Sequence, residues 1–438
     1  MFNNFHGFHL VEELHKRNLE RAAKRLNSKF FKILLAIAAT LTIWLLPAES
    51  FGMANLTVVE QRIIGVFVFA TLMWLMEAIP AWTTSLIVVV LLLFMVSTSA
   101  LTPFVGGYEA DQLGVILKYE DILHCFADPI IMLFIGGFIL AIAATKYGLD
   151  ATIARVLLKP FGTQSRFVML GFIMVTGLFS MFVSNTATAA MMLAFLAPVL
   201  KALPADGKGK IGGMATPIGT PPNGIVLKYL NDPAGMNMNI GFGDWTAFMF
   251  PLTILLLFLS WIILLKMFPF KQKTINLEIP DNSQKGWRTT LVYITFFATI
   301  LMWMFDKYLG VKTNAVAMFP VAVFCATGII DRRDLEQINW SVLWMVAGGF
   351  ALGVALNKSG LAAHMIDAIP FNTWSPLLVI IGSGLVCYAM SNFISHTATA
   401  ALLVPILAVV GLSMTSELSG VGGVSTLLIG VALCSSVA

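Results

Sequence analysis

The sequence SNTATAA at residues 184–190 returns as SHTATAA at residues 395–401, 211 positions further along the chain. The tripeptide Gly-Gly-Phe precedes both copies, at residues 136–138 and 348–350, with an offset of 212. A single gap therefore brings the two halves into register. The pattern predicts an internal repeat, with each seven-residue motif set inside an otherwise apolar segment.

The composition places this repeat in a membrane. Of the 438 residues, 58% are hydrophobic and 11% are charged, whereas about a quarter are charged in soluble domains. The mean hydropathy is +0.86. These values exclude a soluble enzyme and a disordered chain, and the solid apolar runs exclude an outer-membrane barrel, whose strands alternate. We expect an all-α polytopic membrane protein, because each spanning helix needs about 20 apolar residues.

The distribution of charge predicts the orientation. Seven Lys and Arg residues lie between residues 16 and 32, with apolar residues at helical spacing among them. We expect an amphipathic helix there, on the cytoplasmic face of the membrane; nucleic-acid binding is disfavoured because no basic domain follows. If the N-terminal end of the chain is cytoplasmic, the segment 106–128 lies outside and is mostly acidic, whereas the loops on the cytoplasmic side are basic. The predicted location is a bacterial-type inner (plasma) membrane, with several spans and a cytoplasmic N-terminus.

The same topology gives the two copies opposite orientations. The apolar run at 62–79 crosses inward, whereas its counterpart at 289–305 crosses outward. Inverted repeats with interrupted helices are typical of secondary transporters, whose site lies near the midplane between the copies. We therefore predict two re-entrant helical hairpins, within 167–203 and 374–412, that turn at the repeated motif.

Each predicted turn offers groups that bind ions. A broken helix exposes N-terminal N–H groups, which suit a carboxylate, and its carbonyls and hydroxyls suit a small alkali cation. Ser180 and Ser184 lie one helical turn apart, and Ser391 and Ser395 repeat that spacing. The two sets predict two similar cation sites flanking one anion site. The alternative is that these hydroxyls only pack or bond to the preceding helical turn.

A further break is predicted at GTPPN, residues 219–223. Two consecutive prolines remove two backbone donors and prevent a continuous helix, which frees carbonyls such as that of Gly219; an ordinary proline kink is the alternative. Neither hairpin turn contains Lys or Arg, so dipoles, hydroxyls and bound cations must hold the anion. Lys146 and Lys358 lie near ends of apolar runs, where we expect them to snorkel.

With these motifs the chain resembles the divalent anion:sodium symporters, the INDY-like bacterial sodium-coupled dicarboxylate transporters. The resemblance covers nearly all of the chain from about residue 35 and rests on motifs at 184–186, 219–223 and 395–397. It implies a homodimer in a lipid bilayer, in which a transport domain moves against a scaffold domain like an elevator. It also implies sodium-coupled symport of a C4 dicarboxylate such as succinate, with no enzyme activity and no organic cofactor.

The resemblance further implies roles for individual residues. The implied sodium ligands are Ser180, Ser184, Asn185 and the carbonyl of Gly219 at one site, and Ser391 and Ser395 at the other. The implied substrate-binding residues are Asn185, Thr186, Thr220, Pro221, His396 and Thr397.

The second motif departs from the family because His396 stands where the family usually has Asn. Imidazole is a poor sodium ligand. His396 could instead donate a hydrogen bond to a substrate carboxylate and make uptake sensitive to pH. The alternative is that Asn392, four residues earlier, supplies the amide. Both interpretations stay open.

Some of the sequence features also fit classes of protein other than a sodium symporter. A sodium-independent dicarboxylate exchanger, or a sulfate or citrate carrier, could use the same scaffold. A channel is disfavoured because the helix breaks are paired and no ring of like charges is visible. A membrane-embedded enzyme is disfavoured because the six histidines show no metal-binding spacing and no G-x-S-x-G is present.

The expected domain order follows the repeat. The segments are the N-terminal amphipathic helix (1–32), scaffold helices of the first copy (33–165), the first part of the transport domain (166–270), a cytoplasmic linker (271–288), scaffold helices of the second copy (289–370) and the second part of the transport domain (371–438). Each copy lacks a segment whose counterpart is present in the other copy. We therefore expect one helix segment to be absent near 210/211 and a half-site segment to be absent after 438.

Overall fold

Long apolar segments become helices here because a helix satisfies its own backbone hydrogen bonds in a lipid environment. The computed structural model describes residues 28–53, 55–182, 216–233, 235–267, 274, 285–368, 374–393 and 395–437. The predicted amphipathic helix falls almost wholly outside these residues. Within them, the regular structure is helical.

The described residues form fifteen helices of eight residues or more. They are α1 (Ser28–Leu45), α2 (Val58–Met76), α3 (Ala81–Val96), α4 (Pro129–Lys146), α5 (Leu149–Leu158), α6 (Ser165–Ser180), α7 (Pro221–Leu230), α8 (Phe242–Met267), α9 (Trp287–Met304), α10 (Met318–Ala326), α11 (Trp340–Lys358), α12 (Leu361–Ala368), α13 (Pro376–Phe393), α14 (His396–Ser413) and α15 (Val424–Val437).

The lengths of these helices identify a multi-pass membrane protein. Among the described residues, seven helices are long and apolar enough to span a bilayer. An eighth span is possible if Thr415–Val421 and α15, which meet at 69°, count as one broken helix. The expectation of an all-α polytopic membrane protein is confirmed at this level. The inverted repeat and the re-entrant hairpins stay predictions.

Contacts divide the chain into two compact units. One comprises the described residues of Met1–Leu123 and Ala351–Ile369, and the other those of His124–Phe350 and Pro370–Ala438.

In the first unit, α2 packs against α3 and begins with a capping box formed by Thr57 and Glu60. The Glu60 carboxylate is buried and also lies 2.9 Å from Nδ1 of His364. Lys358 pairs with Asp121 at 2.7 Å. Lys358 therefore has a carboxylate partner, whereas the sequence predicted only that its side chain snorkels.

In the second unit, α4 packs against α10 and α7, and α6 packs against α8. Lys146, at the end of α4, lies 2.5 Å from Asp334 and 3.6 Å from Asp331. It also donates to the carbonyl of Ile329 at 3.0 Å. These contacts replace the predicted snorkelling of Lys146 with an ion pair that fixes the end of α4.

Candidate functional site

Four helices of the second unit surround the candidate site. Helix α7 packs against α14 and α15, and α15 also packs against α13. In these four helices, Lys228 is the only Lys, Arg, Asp or Glu, and His396 is the only other titratable nitrogen. An anion among them would therefore be held mainly by backbone and hydroxyl groups.

The site begins at the break before α7. Thr220 is the N-cap, with extended backbone, and Pro221 and Pro222 occupy the first two helical positions. Proline suits these positions because their N–H groups would lack a helical partner. Residues 216–220 are not helical and α7 starts at Pro221, as the two prolines predict; residues 183–215 lie outside the described residues, so the broken helix itself stays a prediction. The positive end of the α7 dipole therefore lies at Thr220.

Buried polar groups tie this break to its neighbours. The Thr216 hydroxyl donates to the carbonyl of Met181, directly after the end of α6. The amide of Asn223 donates to the carbonyl of Thr216 at 2.8 Å, and Asn223 is fully buried. The predicted sodium ligand Ser180, also fully buried, is the last residue of α6. The structure thus joins the segment of Ser180 to the segment of Gly219.

The end of α15 reaches the same break. The Thr220 and Ser436 hydroxyls lie 3.2 Å apart, and both residues are buried. Ser435 is buried beside Ser436. The sequence reasoning missed Ser436, although a pair of small polar residues near the end of an apolar helix is a usable signal.

The second break lies between α13 and α14. Helix α13 ends at Phe393, and α14 begins at His396 with Ser395 as its N-cap. The Ser395 hydroxyl accepts a hydrogen bond from the Ala398 N–H at 3.2 Å. Its capping role explains why a small hydroxyl residue stands there, independently of any ion.

The remaining predicted residues of the second motif surround this helix start. Ser391 and Thr397 are buried, and His396 is half-buried. Asn392, the alternative source of an amide, is exposed and donates from Nδ2 to the carbonyl of Tyr388 at 2.8 Å. Ser184, Asn185 and Thr186 lie outside the described residues, so their roles remain predictions.

The arrangement combines two helix starts with buried hydroxyl and carbonyl groups. Helix α7 starts at Thr220–Pro221 and α14 starts at Ser395–His396, and these helices pack against each other. Helix N-termini favour anions, and neutral oxygen atoms are ligands that hard cations accept. The surroundings suit a small anion and alkali cations better than an acid–base reaction.

Comparisons with known proteins agree with this chemistry. A family model described as "Citrate transporter" matches residues 71–430. Among curated proteins, the chain is 29% identical to the sodium-dependent dicarboxylate transporter SdcS of Staphylococcus aureus strain USA300, over 405 aligned positions. That match covers 80% of this chain and 74% of the relative. The SdcS proteins of strains COL and N315 match to the same extent.

Proposed function

Because this chain belongs to the citrate transporter family, whose members are transporters and not enzymes, we propose that it is a secondary active carrier that couples the entry of C4 dicarboxylates, such as succinate, to sodium. The motif resemblance to the divalent anion:sodium symporters is confirmed by the same comparisons. One observation supports this function above the others: the buried helix start at Thr220–Pro221, beside the hydroxyl of Ser436.

The proposed sodium sites use oxygen atoms on both sides of this helix start. Ser180, Ser184, Asn185 and the carbonyl of Gly219 form the first site, and Ser391 and Ser395 form the second. Sodium is a hard cation that accepts hydroxyl and carbonyl oxygens. Bound sodium supplies positive charge that the neutral hydroxyls of the site do not, and so makes carboxylate binding favourable.

The proposed substrate site lies between the two helix starts. Thr220 and Pro221 on one side, and His396 and Thr397 on the other, contact the carboxylates together with Asn185 and Thr186. At the starts of both α7 and α14, the helix dipole attracts negative charge although no Lys or Arg side chain is present there. Because no fixed cation balances the carboxylates, dicarboxylate affinity depends on whether sodium is bound. Sodium binding and dicarboxylate binding are thereby coupled.

A second candidate is a carrier of citrate. The name of the matching family favours it. A sodium-independent dicarboxylate exchanger or a sulfate carrier would use the same helix starts. The dependence of binding on sodium separates the exchanger from the symporter, and competition by citrate or sulfate separates the other carriers.

The proposed cycle is an elevator movement of segments 166–270 and 371–438 against scaffold segments 33–165 and 289–370. We further propose a homodimer in the inner (plasma) membrane with its N-terminus in the cytoplasm. The basic inner loops support the orientation. The dimer and the elevator rest on the family resemblance.

Calorimetric binding of succinate to the purified protein tests this function. We expect heat of binding in sodium buffer and a loss of at least about tenfold in affinity when choline replaces sodium. Citrate and sulfate are then added as competitors. Equal affinity in the two buffers would reject sodium coupling, and preferential displacement by citrate would favour the second candidate.

A further inference from the structure

A charged contact holds the end of α7 that lies away from the candidate site. The ammonium of Lys228 is 2.6 Å from a carboxylate oxygen of Asp128 and 3.5 Å from the centre of the Phe350 ring. The side chains of Lys228 and Asp128 are only 22% and 14% exposed. Water therefore screens this pair less than it screens a surface ion pair. Asp128, Lys228 and Phe350 are called the clasp below.

Both charges of the clasp also complement helix dipoles. Asp128 is the N-cap of α4 and accepts a hydrogen bond from the N–H of Ile130 at 2.9 Å. Lys228 lies in the last turn of α7. A negative charge at a helix start and a positive charge at a helix end are each favourable. The clasp thus joins the start of α4 to the end of α7 in a geometry that both helices stabilise.

The rest of the described contact between α4 and α7 is apolar and close. A methyl group on Gly224 of α7 would lie 2.6 Å from the Phe134 ring and 3.1 Å from Ile130. Ile218, just before α7, lies against Gly137 of α4. Apolar surfaces of this kind can shift without losing a directional bond, whereas a charge pair cannot separate without losing its partner.

We propose that the clasp is a latch that stabilises the conformer seen here and must open whenever α7 moves along α4 during transport. This inference rests on the proposed carrier, in which Lys228 belongs to the transport domain while Asp128 and Phe350 belong to the scaffold. Lys228 is thereby a positioning residue for the helix whose start carries Thr220 and Pro221. Weakening the latch changes the populations of conformers because the clasp exists in only one of them.

Distance measurements between spin labels test the latch without relying on transport. The labels are placed at His124 and Met238 in full-length protein whose four native cysteines are replaced by alanine. His124 is exposed near Asp128, and Met238 is tied by its N–H to the carbonyl of Leu230 at the end of α7. Lys228→Gln is expected to raise the population of a second distance on the order of tenfold.

Lys228→Arg keeps a positive charge at the end of α7 beside Asp128 and is expected to hold that population near the wild-type level. Lys146→Gln is the matched control, because Lys146 pairs at 2.5 Å with Asp334 inside the proposed scaffold; it should leave the distances unchanged. If Lys228→Gln does not fold, Phe350→Leu removes the ring and keeps an apolar side chain, with a smaller shift in the same direction.

Uptake kinetics separate this inference from the proposed function. Lys228→Gln should change the maximal rate of succinate uptake while KM stays within about twofold, because the helix start at Thr220 is retained. Wild-type protein that moves no dicarboxylate would reject the proposed function, and the distances would still decide the latch. A folded Lys228→Gln variant with wild-type distances would overturn the latch even if uptake is normal.

Discussion

The hydroxyl of Ser436 lies 3.2 Å from the hydroxyl of Thr220, although 216 positions separate the two residues in the chain. Both are buried, so the contact is shielded from bulk water. It brings the end of α15 to the start of α7. Ser436 thereby joins the candidate site through the residue proposed to face a substrate carboxylate.

Ser436→Ala tests this contact. The change leaves the buried Thr220 hydroxyl without that partner, and a hydrogen bond of this kind contributes about 1 kcal/mol. We expect the KM for succinate to rise about fivefold in sodium-driven uptake. Ser425→Ala is the control on the same helix, since the Ser425 hydroxyl donates to the nearby carbonyl of Gly422, at the opposite end of α15 from Ser436. An unchanged KM for Ser436→Ala would remove this residue from the site.

His396→Asn tests the departure from the family motif. If His396 donates to a carboxylate, the bond is stronger when the imidazole carries a proton, and histidine side chains as a class change charge in the physiological pH range. The wild-type uptake rate should then change between pH 6 and 8, and the variant should show a flatter profile or a stronger dependence on sodium. Identical pH and sodium profiles for the two proteins would leave His396 with a packing role.

Lys146→Gln tests the ion pair at the end of α4. The variant leaves the buried Asp334 without this cation, and the cost in the free energy of unfolding is limited to about 1–2 kcal/mol because Lys146 itself is partly exposed. Arg332→Gln removes an exposed pair with Glu336 and should have almost no effect. Thermal unfolding of the detergent-solubilised variants measures both. Equal melting temperatures for Lys146→Gln and wild type would contradict the assignment.

Asp331 gives a prediction about pH. The backbone N–H groups of Arg333 and Asp334, which this side chain caps, hold the pKa of Asp331 below its ordinary value, and Lys146 adds to the effect. A lowered folded-state pKa stabilises the fold above the unfolded-state value and loses that contribution as the pH falls through the folded-state value.

Asp331→Asn, which keeps a capping side chain but removes its charge, should therefore lower the melting temperature at pH 7. The difference from wild type should shrink below about pH 3.9, the ordinary aspartate value. A difference that is the same at pH 7 and pH 3 would show that the charge of Asp331 is not involved.

The parts of the fold that the sequence predicted are local in origin. Two consecutive prolines prevent a continuous helix but suit the first positions of a new one, and α7 begins at Pro221. Ser395 is a favourable N-cap, and α14 follows it directly. Long apolar runs become helices because lipid leaves the backbone no other partner. Each of these outcomes depends on a few neighbouring residues.

The contacts that the sequence did not predict are distant in the chain. Lys146 and Asp334 are separated by 188 positions, and the lysine alone looks like a residue that snorkels. The partner of Lys228 lies at the start of α4, a hundred residues earlier. Pairing of this kind is set by helix packing, which hydropathy and spacing do not encode.

We propose that sodium drives dicarboxylate movement through a site at the two helix breaks. The decisive experiment is uptake of labelled succinate into proteoliposomes with and without an inward sodium gradient. We predict accumulation of succinate that requires the sodium gradient and is abolished by Asn185→Ala. Uptake that is indifferent to sodium but stimulated by internal succinate would contradict the claim and identify an exchanger.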